Sequence, residues 1–110
     1  VAGKNAEGVY ATGPTDVSKL PMNIQAHENH KKKYGTEPGA FYDNAYSATI
    51  ALLEAIKAAG STDSQKIMDA LHTNLVDTPL GKIKFAATGD AEGIGFSIYQ
   101  VKNGDFVELK

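Results

Sequence analysis

Cysteine is absent from this sequence. That absence removes disulfide frameworks, thiolate zinc sites and iron–sulfur clusters, and it is compatible with cytosol and periplasm alike. Tryptophan is absent as well, and proline occurs only 4 times. No apolar run approaches the roughly 20 residues of a membrane span. A surplus of one charge is also missing. The 11 Lys+Arg against 13 Asp+Glu leave a formal net charge of −2, so nothing pulls the chain generally toward nucleic acid or an anionic membrane. The first residue is Val1, with no initiator Met and no charged-then-apolar segment of a signal peptide. The expectation is that a leader has been removed or that the chain is a piece of something longer. The rest is ordinary globular material: 110 residues, 42% of them hydrophobic, with 11 glycines. That suffices for one small domain, whose core is modest because so short a chain hides only about two-thirds of its unfolded surface.

Periodicity and turn chemistry divide the chain. Gly8-Val9-Tyr10-Ala11-Thr12 reads as a strand, stopped by Gly13-Pro14. A helix comes next, with Ser18 as N-cap, Pro21 in the first turn and Gly35 as its stop. Leu20, Ile24, His27 and Tyr34 share one face, Glu28 and Lys32 are spaced as an ion pair, and Lys31 to Lys33 suit the last turn. The strongest helix is Asp43 to Ala59. Ala45, Ala48, Leu52, Ala55, Ile56 and Ala59 make one apolar stripe, and Tyr46, Ile50 and Leu53 make a second. Only Glu54 and Lys57 mark a wet side, so this helix expects neighbours on more than one side. Gly60 ends it. Ser61-Thr62-Asp63 caps a third helix, Thr62 and Gln65 fit a capping box, and Ile67, Met68, Leu71 and Leu75 are its predicted buried face. The period then changes to two, with Ile83 and Phe85 alternating with Lys82 and Lys84. Ala86 to Gly95 reads as loop and Phe96 to Val101 as strand. Asn103-Gly104 signals a type I′ hairpin that sets Val101 opposite Phe106 and Ile98 opposite Leu109. The predicted order is strand, three helices, strand, hairpin, an α/β chain.

Few residues point to chemistry. His27 and His30 are three apart on a helix but lack His-Glu-x-x-His spacing and a third ligand, so a solvated helix face is favoured and no metal is expected. Gly93-Ile94-Gly95 precedes a strand and is too short for a dinucleotide fingerprint, and Gly81-Lys82 lacks the other residues of a phosphate loop. Both read as turn glycines. No nucleophile elbow or acid–base pair stands out, so no catalytic residue and no cofactor is assigned. The run Lys31 to Lys33 lacks interleaved aromatics and is not a nucleic-acid surface. Phe41, Tyr42 and Tyr46 cluster at the start of the long helix. Such a cluster either lines a small-molecule pocket near free helix N–H groups or simply caps the core.

Several segments together resemble a known family. They are Ala6 to Thr12, Tyr46-Ser47-Ala48 leading into Leu52 to Asp63, Val76 to Phe85, Gly89-Asp90, and Gly95 to Val101 with its hairpin. In that order and spacing they resemble the last third of a branched-chain amino-acid-binding protein, a solute receptor of leucine/isoleucine/valine-type ABC importers with the type I periplasmic-binding-protein fold. An acid often follows the strand Phe in that family, and Ala86 stands there instead. The resemblance implies two α/β lobes joined by three crossings, a small amino-acid ligand, an ABC permease as partner and a periplasmic location. It implies that 1–15 and 95–110 are strands of the second lobe, and that 18–85 supplies first-lobe helices and a strand, with crossings near Thr15 to Ser18 and near Gly95. Most residues that grip the ligand lie upstream in the family. Tyr46 is the position carried over as a ligand-side contact.

A partial fold of this kind would leave the helix Asp43 to Ala59 with a large exposed apolar surface, which lone monomers seldom tolerate. The chain is therefore expected to complete its fold as a homo-oligomer, exchanging an element at the Thr15 to Ser18 or Ala91 to Gly95 connectors. Isolated, it should bind amino acids weakly or not at all. The alternative reading is a self-contained oligomeric interaction module with no small-molecule ligand. A small enzyme ranks last.

Overall fold

The computed structural model describes residues 2–109. The chain forms two compact units: one comprises everything up to Asp16 together with everything from Gly95 on, the other Val17–Ile94. The backbone thus passes between the units twice.

The first unit holds a single 3₁₀ turn, Gly3–Ala6, and three strands: β1 (Tyr10–Pro14), β5 (Phe96–Lys102) and β6 (Asp105–Leu109). They form an antiparallel sheet in the order β1-β5-β6. Asn103 and Gly104 both take positive φ, 54° and 88°, as a type I′ turn requires. That turn fixes the register, so Val101 faces Phe106 and Ile98 faces Leu109, as the sequence predicts. β1 differs from expectation, since it continues through Gly13-Pro14 and ends opposite Phe96. An edge strand tolerates proline, and Gly13 lets the Tyr99 ring close down on the backbone; a Cβ there would lie 3.4 Å from Tyr99 Cε2. The Tyr99 hydroxyl donates to the Pro14 carbonyl and fastens this corner.

The second unit contains α1 (Pro21–Tyr34), α2 (Tyr42–Ala59), α3 (Ser64–Thr73) and an antiparallel sheet of β2 (Val76–Thr78), β3 (Gly81–Phe85) and β4 (Ala91–Glu92). Its core is built largely from alanines: Ala26, Ala51, Ala55 and Ala70, with Ile83 from β3. Small side chains allow close approach of the elements, and the cost is little apolar area per residue.

Several predicted details change here. Pro21 opens α1 and Gly35 stops it with φ 74°, but the N-cap is Leu20, not Ser18. The buried face of α1 is Asn23 and Ala26, while Ile24 and Tyr34 are exposed. Asn23 is buried because its side-chain amide donates to the Pro79 carbonyl at 3.3 Å, joining α1 to the β2–β3 turn. Glu28 and Lys32 do not pair; Lys31 of this helix pairs with Glu37 instead. On α2 the buried seam is Ser47, Ala51 and Ala55, and Ala45, Ala48, Leu52 and Leu53 are exposed. α3 is capped by Asp63, whose carboxylate accepts from the Lys66 N–H at 3.1 Å, so Thr62 and Gln65 form no capping box. Met68 and Leu75 are exposed and Ala70 is buried in their place. Strands β2 and β4 have no signature in the sequence. Two or three residues show no period, and β2 exists because Thr78 Oγ1 donates to Gly81 O at 2.7 Å and accepts from Leu80 N–H at 3.2 Å across a two-residue turn.

Candidate ligand-binding site

The α1–α2 junction collects most of the aromatic side chains of the second unit, together with His27 and His30. Gly35 ends α1, a short loop intervenes, and Phe41 precedes α2. Ring packing holds the junction together. Tyr42 contacts His27 at 5.7 Å and His30 at 5.0 Å, both edge-on, and lies 5.6 Å from Tyr46. The Tyr42 hydroxyl donates to the Ala26 carbonyl at 3.1 Å. Burial, and then the charges of Tyr46 and Asp43, push that phenol above its ordinary range.

His27 and His30 do not act together. His27 Nε2 donates to Asp43 Oδ1 at 2.9 Å. His30 Nδ1 lies 3.0 Å from the Thr36 carbonyl and must carry the proton, because a carbonyl only accepts. Neither ring is simply solvated, so the expected wet face is corrected: His27 ties α1 to α2, and His30 ties it to the intervening loop. No cluster of three metal-ligating side chains occurs among the described residues. Lys31 and Glu37 pair across the same loop. Their hydrogen bond, and then their charges, hold the Glu37 carboxyl below and the Lys31 ammonium above their usual ranges. Lys33 lies over the Tyr34 ring at 5.1 Å. Two of the three lysines are thus engaged locally.

Tyr46 is half-buried and lines a groove of about 420 Å³ with Tyr42, Ala45, Thr49, Ile50 and Leu53. The groove is mostly apolar, shallow and open along α2. A larger groove of about 590 Å³ runs past Met22, Glu54, Lys57, Leu75 and Asp77 and mixes apolar walls with charges of both signs. Phe41 is the most unusual residue of the region. It has φ 65° and is 82% exposed. A bulky residue in the left-handed region is strained, and such strain persists where the surroundings or a function hold it. The sequence groups Phe41 with Tyr42 and Tyr46 as one aromatic cluster; the structure packs Tyr42 against Tyr46 with the rings tilted at 53° and leaves Phe41 in solvent. No sequence signal marks a left-handed phenylalanine.

The glycines of the other motifs have structural work. A Cβ on Gly93, at φ 94°, would lie 2.1 Å from Lys82 O, and one on Gly95 would lie 2.7 Å from Thr15 Oγ1. Gly81 has φ 102° and closes the β2–β3 turn.

Comparison with known proteins gives a consistent picture. Residues 1–105 match a family described as periplasmic binding protein. The chain is 33% identical over 100 residues to the leucine-, isoleucine-, valine-, threonine- and alanine-binding protein of Pseudomonas aeruginosa, covering 91% of this chain and 27% of that protein. It is 30% identical over 99 residues to the Leu/Ile/Val-binding protein of Escherichia coli K12, covering 90% and 26%. Among solved structures, a leucine-binding protein from Thermotoga maritima superposes with a TM-score of 0.74 at 32% identity, covering 98% of this chain and 31% of that one. A periplasmic binding protein from Burkholderia mallei, 21% identical, shares the fold with a TM-score of 0.78 over 97% of this chain. The chain spans between a quarter and a third of the length of these relatives.

Proposed function

This chain belongs to the periplasmic binding protein family, and from that premise we propose that it forms the C-terminal part of a periplasmic receptor for branched-chain or similar aliphatic amino acids, serving an ABC importer. The family is one of solute-binding proteins, not of enzymes. The observation that carries the reading is the match at 32% identity and TM-score 0.74 to a leucine-binding protein over 98% of this chain.

In this reading the two units belong to the two lobes of the receptor, and the crossings after Asp16 and before Gly95 are its hinge segments. Closure about them around a bound amino acid would present the closed form to the permease. Tyr46 and Phe41 are the ligand-side candidates at the start of α2. Tyr46 lines an apolar groove suited to an aliphatic side chain. Phe41 holds an exposed ring in a strained backbone, the pairing expected of a residue kept for contact and not for stability. The remaining grip is assigned to chain outside these 110 residues. Leucine, isoleucine and valine should therefore bind the chain alone only weakly, while a chimera carrying residues 2–109 in place of the matching segment of the Pseudomonas protein should bind them well. Calorimetry on both checks this. Micromolar binding by the chain alone, or none by a folded chimera, would overturn it.

The same reading includes self-association of the chain by exchange of an element at the Thr15 to Ser18 or Ala91 to Gly95 connectors. Large apolar side chains that stay exposed in the isolated chain, Leu53 and Phe96 among them, support it, and they also favour the second reading of an oligomeric interaction module.

A further inference from the structure

One face of α1 meets the chain on both sides of Phe41. Ala26 and His30 are four residues apart, as are His27 and Lys31, so the two pairs share that face. Before Phe41, His30 Nδ1 donates to the Thr36 carbonyl at 3.0 Å and Lys31 pairs with Glu37. After it, the Tyr42 hydroxyl donates to the Ala26 carbonyl at 3.1 Å and the Tyr42 ring packs edge-on to both imidazoles. His27 Nε2 donates to Asp43 Oδ1 at 2.9 Å. Between these anchors run only Pro38, Gly39, Ala40 and Phe41. Proline fixes its own φ and biases Glu37 to extended backbone, so three residues must absorb the turn. The Tyr42 N–H donates to the Gly39 carbonyl at 3.3 Å, which closes a four-residue turn. Phe41 is its third residue, at φ 65° and ψ 5°, the place where a type II turn calls for glycine or asparagine. As N-cap of α2 it is equally out of place, since its ring offers no acceptor to the free N–H groups of the first turn.

We propose that His27 and His30 are positioning residues of the ligand site. By tying Asp43 and Thr36 to α1 they hold Phe41 in its left-handed conformation, and so fix the direction in which its ring is offered to the ligand. A strained residue keeps such a conformation only where its neighbours over-determine it. The two imidazoles grip the chain five residues before Phe41 and two residues after it. Each acts through one nitrogen, Nε2 in His27 and Nδ1 in His30. The Lys31–Glu37 pair supports the same loop, but both side chains are largely exposed, so it adds little. Tyr42 is itself lodged against the two imidazoles. The effect on ligand affinity rests on the reading of Phe41 as a ligand-side residue; the effect on the backbone at Phe41 does not.

Two readouts separate failure of this proposal from failure of the ligand reading. The first needs no ligand. In the 110-residue chain, Phe41→Gly should raise the folded-to-unfolded ratio in urea about fivefold, but by less than about twofold when His27→Ala and His30→Ala are also present, because the released turn is no longer strained. An equal gain in both backgrounds would overturn the proposal, whatever leucine does. If the alanine pair does not fold, His27→Asn with His30→Gln serves as the background. The second readout is leucine affinity of the chimera. Gln sets its amide donor near the place of Nε2 and Asn near that of Nδ1. His27→Gln and His30→Asn should therefore bind within about threefold of the parent, while His27→Asn and His30→Gln misplace the donor and should each bind about tenfold more weakly, still folded by circular dichroism. Equal affinity in all four variants, alongside a loss at Phe41→Ala, would contradict the positioning role. Unchanged affinity at Phe41→Ala would instead remove the ligand reading, and the urea comparison then decides the positioning alone.

Discussion

Single residues carry the strain and the titration behaviour of this chain. Phe41 has a positive φ and an exposed ring, so it stabilises little and costs about 1–2 kcal/mol in backbone strain. Phe41→Gly should therefore raise resistance to urea by about 1 kcal/mol and, in a full-length receptor, weaken leucine binding; loss of stability on that substitution would contradict the strain. The phenols of Tyr42 and Tyr99 are both pushed above their ordinary range, Tyr42 by burial and then Tyr46 and Asp43, Tyr99 by burial and then Glu108 and Asp16. An acid whose folded pKa is raised contributes stability that is present in full below its unfolded value, about 10, and is lost as the pH rises past it. Denaturant midpoints should thus be flat in this respect below pH 10 and fall above it. Tyr99→Phe should flatten part of that fall, at the cost of its hydrogen bond to Pro14 at all pH values. An alkaline limb identical in wild type and Tyr99→Phe would show that the phenol is not responsible.

Elements were legible where one local rule decides them. The register of β5 on β6 comes from Asn103-Gly104, because a type I′ turn permits a single pairing. The ends of α1 and α2 come from Gly35 and Gly60, both left-handed. The alternation of β3 was legible because one face of that strand meets the core and the other meets water. The misread details depend on distant partners. The inward face of α1 is set by the bond from Asn23 to Pro79, 56 residues away, and a polar residue at that position reads as solvent-facing. β2 and β4 are too short to show a period and exist through pairing to β3. For the candidate site, Tyr46 could be singled out, but the conformation of Phe41 could not. The small hairpins also depend on bare backbone. Gly93→Ala would set a methyl 2.1 Å from Lys82 O, so it should cost more than about 2 kcal/mol and unseat β4. Thermal melts and amide exchange at Lys84 would read this; an unperturbed variant would mean that the loop yields freely.

At the scale of the molecule, two compact units share one short chain with a core built mainly of alanines. Such a core buries little apolar area, and large side chains such as Leu53, Phe96 and Ile98 remain outside it. Family membership gives them a context, since the relatives are three to four times longer than this chain. The central claim is that these residues form the C-terminal portion of an amino-acid receptor. Its most direct test is leucine calorimetry on a chimera in which residues 2–109 replace the matching segment of the Pseudomonas protein. We predict a folded chimera that binds leucine within about tenfold of its parent, a loss of at most about 1.4 kcal/mol, while the 110-residue chain alone binds only weakly. A folded chimera with no leucine binding, or a chain that binds at micromolar affinity unaided, would contradict the claim.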